Sequence, residues 1–120
     1  MLRAFPQNLE EVTEQAFLEG LAGTVGYTFN MCHAAIPYMQ QQKTSSIINL
    51  GDACAELQAD ILSYQIGKHS VLLLTKGFAQ EYAKDGIRVN CVSPGILENS
   101  VTKAPRVMIV ENSELIEFVS

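Results

Sequence analysis

A chain of 120 residues, 48% apolar and 18% charged, suits one globular domain and little more, and its composition excludes a disordered chain. A net charge of −5 with no Lys/Arg cluster argues against nucleic acid as a partner. The longest apolar runs are only a few residues, far short of the roughly 20 needed to span a membrane.

The N-terminal stretch "MLRAFPQNLEE" has one Arg but no apolar run after it, which reads against a secretory signal. A first helix is expected from near Asn8, which caps with Glu11 three residues on. Its apolar stripe runs Leu18, Leu21, Val25, Phe29, Cys32, Ile36, Met39, in steps of three and four that mark one face. Pro37 falls inside this pattern and predicts a kink or a tightened last turn. The polar run "QQQKTSS" closes the element. "SIINL", residues 46–50, then reads as a buried strand of the kind found in parallel sheets.

A loop follows, and a second helix is expected over residues 61–84. Val71, Leu74, Phe78 and Tyr82 share one face, and Gly86 suits the position just beyond the helix end. "IRVNCVS", residues 87–93, is a second strand, in which Cys91 alternates with Val89 and Ile87 as a core residue. Pro94–Gly95 stops it. A loop to Asn112 and a short terminal helix, "SELIEFV", complete the expected order helix–strand–helix–strand–helix. Strands alternating with long helices define an α/β class with a parallel sheet. Two strands are few for such a sheet, so the chain reads as one partial domain over residues 1–120.

Cys32, Cys54 and Cys91 are an odd number without CxxC spacing, which points to reduced thiols in a cytoplasmic protein and not to a zinc site or a disulfide framework. His33 and His69 have no metal-spaced partner and read as structural or surface residues. The glycines Gly20, Gly23 and Gly26 do not form G-x-G-x-x-G, and no strand precedes them. Close helix packing is their expected role.

Tyr64 and Lys68 carry the chemistry. On a helix, residues four apart lie on one face about 6 Å apart. A Lys ammonium beside a phenol favours the phenolate, which a Tyr needs to act as general acid or base near neutral pH. Alone, Tyr-x-x-x-Lys is a weak signal, and an aromatic ring packed on a lysine stem is the better reading of it.

The flanking residues narrow this. "SSIINL", "LSYQIGKHSV", "IRVNCVSPG" and, upstream, "FNMCHAAIPYM" occur in order at intervals that fit one βαβ unit. Together they closely resemble the short-chain dehydrogenase/reductase family, over about residues 10 to 102. The resemblance implies a partial Rossmann-type fold, NAD or NADP as cofactor, and hydride transfer to or from a small-molecule carbonyl or alcohol. It makes Tyr64 the catalytic acid/base and Lys68 its partner, which also hydrogen-bonds the nicotinamide ribose. It places Asn90 in the strand before the Pro94–Gly95 turn, beside the nicotinamide at the carboxyl ends of the strands. It puts Asn99, with Ser100 next to it, nearest the position of a Thr that contacts the carboxamide. It also implies a homo-oligomer formed through the two long helices.

Three departures from the family pattern stand out. Where the family has a Ser about 13 residues before the Tyr, this chain has Gly51 and Asp52, with no hydroxyl. An Asp there resembles pteridine reductases, whose Asp works with the Tyr in protonating a pterin ring. Asp52 is one residue closer to Tyr64 than that pattern has it, and a turn-capping role fits it as well. Thr24 stands where the family's fourth helix has an Asn that holds a water. Finally, the glycine-rich first βα turn that seats a pyrophosphate, the first strands and the last strand have no counterpart, so the chain reads as truncated. The rival expectation is therefore a non-catalytic interaction fragment that associates through its apolar helix faces and an open strand edge. The choice between NAD and NADP, and the substrate, are not legible in these residues.

Overall fold

The computed structural model describes residues 9–52, 62–94, 107–111 and 114–118, the last two segments as backbone strands. A single 3-10 turn, Leu9–Glu11, precedes helix α1 (Glu14–Leu21). The cap differs from the expected one. Thr13 has extended backbone and its hydroxyl accepts the Ala16 amide at 3.1 Å, satisfying a donor that the first helical turn leaves orphaned. Asn8 lies outside the described residues.

The chain then winds through a π-helical turn, Ala22–Gly26, into α2 (Tyr27–Met39). Of the two outcomes expected at Pro37, the tightened last turn is found: Gln41 and Gln42 donate three residues back, to Tyr38 O at 3.3 Å and Met39 O at 3.0 Å. Pro37 falls in the last turn of α2, where its missing N–H removes a single hydrogen bond, and the helix continues to Met39. A π turn takes an extra residue, so it rotates everything after it relative to an α-helical stripe. The buried face is accordingly Thr24, Cys32 and Ile36, while Leu18 and Phe29 are 53% and 44% exposed. The predicted stripe is correct only in its second half.

Strand β1 (Ser45–Leu50) and strand β2 (Ile87–Pro94) pair in parallel, from Ser45 opposite Ile87 to Leu50 opposite Val92. Helix α3 (Leu62–Tyr82) connects them and ends in a 3-10 turn, Ala83–Asp85. Gly86 follows with φ 71°, and a Cβ there would lie 2.5 Å from the Lys43 carbonyl oxygen, so both conformation and space call for glycine. Along β2, Ile87, Val89, Cys91 and Ser93 point inward in strict alternation. Ile87 and Val89 join Cys32, Ile36 and Phe78 in the core between sheet and helices. Phe78 also meets Phe29 edge-on at 6.0 Å, tying α2 to α3, and lies 5.7 Å from Tyr82 on its own helix.

Two expectations for the sheet need correction. β1 is not buried on both faces: Ile48 and Leu50 are 65% and 59% exposed, because α2 and α3 cover one side only. The chain also ends in strands, not in a helix. β3 (Val107–Glu111) pairs antiparallel with β2, and β4 (Glu114–Phe118) pairs antiparallel with β3, Ile109 opposite Ile116. A stretch as short as "ELIEF", mixing apolar and acidic residues, fits either period, and an adjacent strand decides it. The sheet is therefore mixed, in the order β1-β2-β3-β4. Among the described residues no helix is long and apolar enough to cross a membrane.

Candidate active site

The carboxyl ends of β1 and β2 lie side by side, and the first turns of α3 stand over them. Tyr64 and Lys68 occupy one face of those turns, each half-buried. The Lys68 ammonium donates to the Leu50 carbonyl oxygen at 3.1 Å, which fixes the start of α3 to the end of β1. Asp52, half-buried, lies two residues beyond Leu50. Pro94 ends β2 opposite Val107. The structure thus gathers Lys68 and the β1 terminus directly and keeps Tyr64 one turn away. Gly95 and Asn99 lie outside the described residues.

Gly51 explains why no hydroxyl occupies its position. Its amide donates to Val92 O at 2.8 Å, and a Cβ would sit 2.5 Å from Ser93 Oγ and 3.1 Å from Cys91 Sγ. A serine at 51 would collide with β2, so Asp52 is the nearest polar side chain after the strand. Asn90, half-buried on β2, faces away from the alternating core residues.

A close helix crossing holds α3 in place. A Cβ on Gly67 would run into Thr24 Oγ1, and one on Gly20 would run into the Ser63 hydroxyl. Gly20 therefore packs closely as expected. Gly23 does not, since a Cβ there would meet nothing within 4 Å, and one on Gly26 would meet Leu21 and Ala22 in the turn before it. Thr24, 7% exposed, donates to Gly20 O at 2.8 Å, with Leu21 O at 3.3 Å. Its hydroxyl is thus turned onto its own helix, against the residue next to Lys68.

Sequence reasoning passed over a buried polar chain behind this crossing. The Cys32 thiol donates to Asn49 Oδ1 at 3.4 Å, Asn49 Nδ2 donates to Thr75 Oγ1 at 3.0 Å, and Thr75 donates to Val71 O at 2.8 Å. Burial pushes the Cys32 thiol above its ordinary value. A lone Asn inside an aliphatic strand was the available signal. His69 Nδ1 lies 2.8 Å from Gln65 O, and His33 stacks on Phe29. Among the described residues no group of three or more His, Cys, Asp or Glu side chains is placed to hold a metal ion.

The family model described as enoyl-(acyl carrier protein) reductase matches residues 2–114. A curated relative named probable galactose dehydrogenase, from Rhizobium meliloti, is 37% identical over 92 residues, covering 76% of this chain and 36% of that protein. A solved short-chain dehydrogenase/reductase of unknown function from Caenorhabditis elegans, with cofactor, is 29% identical with a TM-score of 0.66, covering 73% of this chain and 33% of that one. NAD+-bound xylitol dehydrogenase is 26% identical, also at a TM-score of 0.66, covering 78% and 38% respectively. The fold is a partial Rossmann-type α/β fold, and the chain belongs to the short-chain dehydrogenase/reductase family. It spans about a third of the length of the curated relatives it matches.

Proposed function

We propose that these residues form the proton-handling half of an NAD(P)-dependent oxidoreductase site acting on a small-molecule carbonyl. The observation that carries the reading is the Lys68 ammonium, seated 3.1 Å from the Leu50 carbonyl with Tyr64 one helical turn before it, where two parallel strands end. The donor set fits the nicotinamide end of such a cofactor: an ammonium and a phenol on one helix face suit a ribose hydroxyl and a substrate oxygen together. NAD or NADP, when bound, supplies or accepts the hydride. Two solved relatives are described as cofactor-bound, one of them with NAD+.

In reduction, the Tyr64 phenol donates its proton to the carbonyl oxygen. Lys68 stabilises the negative charge that develops on the phenol oxygen, and the Leu50 carbonyl keeps the ammonium in place while it does so. In oxidation the same phenolate takes the proton of the alcohol. Asp52, at the exit of β1, is suited to hold or deliver a second proton to a nitrogen heterocycle, and a pterin is the substrate class this favours. Pro94, and Gly95 and Asn99 outside the described residues, are the further candidates for cofactor contact that the family pattern supplies.

The exposed Phe29 and Met31 of α2 and Ile66 and Leu73 of α3 support a homo-oligomer that buries the two long helices. Light scattering tests this, and a stable monomer argues against it. The free, buried Cys32 and Cys91 support a cytoplasmic location. The rival reading, a non-catalytic interaction fragment, is favoured by the exposed Ile48 and Leu50 on β1. Consumption of NADH or NADPH with a panel of ketones, aldehydes and pterins separates the two. Turnover that disappears in Lys68→Met supports the enzyme, and no turnover with any pair supports the fragment.

A further inference from the structure

Asn49 is a polar side chain on the inward face of β1, 7% exposed, where packing alone calls for an aliphatic residue. Its amide is engaged on both sides. The protons run in one direction, from Cys32 on α2 to Asn49 on β1, from Asn49 to Thr75 on α3, and from Thr75 to the Val71 carbonyl. One side chain thereby joins three elements, and no member of the chain can be removed without leaving a buried polar atom unpaired.

The next residue on the strand is Leu50, whose carbonyl receives Lys68. Thr75 lies two helical turns after Lys68 and so on the same face of α3. That face is held to β1 twice: by Thr75 on the Asn49 side chain, and by Lys68 on the Leu50 main chain. A slide or rotation of α3 against β1 would break both. We propose that Asn49 is a positioning residue for the Tyr64–Lys68 pair, fixing the register of α3 on β1 so that the Leu50 carbonyl meets the Lys68 ammonium. This rests on the reading of Tyr64 and Lys68 given above and assigns Asn49 no contact with substrate.

The test is the rate at which Lys68 reacts with an amine-acylating reagent, read by mass spectrometry against the exposed Lys76 of the same helix. Asn49→Leu keeps the volume and removes both hydrogen bonds. Thr75→Val removes the bond to Asn49, along with the Thr75–Val71 bond within α3, with almost no change of shape, and Thr75→Ser keeps both. Relative labelling of Lys68 is expected to rise roughly 3- to 10-fold in Asn49→Leu and in Thr75→Val, as loss of one hydrogen bond implies, and to stay at the starting level in Thr75→Ser. In turnover assays Asn49→Leu should lower kcat while KM changes little. Unchanged labelling in folded Thr75→Val, or equal loosening by Thr75→Ser, overturns the proposal. The two readings fail separately. If labelling responds as expected while Lys68→Met keeps full turnover, the tie between α3 and β1 stands and the oxidoreductase reading falls.

Discussion

Gly67 and Thr24 are in direct contact across the crossing of the first helical segment and α3: a Cβ on Gly67 would overlap Thr24 Oγ1. The contact lies one residue before Lys68 and three after Tyr64, so the proton-handling pair is held from behind by the smallest possible side chain. Replacing a mid-helix glycine with alanine usually stabilises by about 1 kcal/mol. Here the sign should reverse. Gly67→Ala is expected to destabilise by about 1–3 kcal/mol through overpacking. Gly77 on the same helix is the control, because a Cβ there meets nothing within 4 Å. Gly77→Ala should stabilise by about 0.5–1 kcal/mol. Urea unfolding of both variants checks the pair, and equal effects would remove the close crossing.

Gly51→Ser would restore the hydroxyl that the family pattern places near this position, yet its Cβ would press on Ser93 Oγ at 2.5 Å. The expected cost is about 1–3 kcal/mol. Ser93→Ala removes the clashing oxygen, so the double variant should recover part of the loss. A coupling of about 0.5 kcal/mol or more in the four-way cycle is the expected result, and simple additivity would contradict the contact.

Cys32 gives the protein an alkaline sensitivity. Its thiol titrates above the ordinary value of 9.0 because burial disfavours the thiolate. The unfolded chain therefore loses this proton first as pH rises. The stability contributed is fully present below 9.0 and is lost as pH climbs through the raised folded value. Unfolding midpoints measured on both sides of pH 9.0 should fall more steeply in the unsubstituted protein than in Cys32→Ala. Parallel curves would mean that the thiol titrates alike in both states.

Asp52 separates two substrate classes. If it delivers a proton to a heterocycle, Asp52→Asn should lower pterin turnover by about 10²-fold and spare simple ketones. Equal, small losses on both would leave Asp52 as a loop residue.

Local geometry was legible in the sequence. The pairing of Tyr64 with Lys68 on one face follows from their spacing alone, and the inward alternation of Ile87, Val89 and Cys91 follows from strand period. What was not legible depends on partners distant in the chain. Asn49 finds Cys32 and Thr75, 17 and 26 residues away, and nothing in "SIINL" announces either. Gly67 shows its purpose only where Thr24 crosses it. Residues 114–118, "ELIEF", form a strand because β3 lies beside them. The stripe of the first helix lost its phase at the π turn, which periodicity over a continuous α-helix cannot anticipate.

The central claim is that Tyr64 moves the proton. The direct measurement is kcat of the protein with NADH or NADPH and its best carbonyl substrate, before and after Tyr64→Phe, with the fold checked by circular dichroism. The account predicts a loss of about 10²- to 10⁴-fold with the fold retained. Turnover unchanged in a folded Tyr64→Phe protein would contradict it.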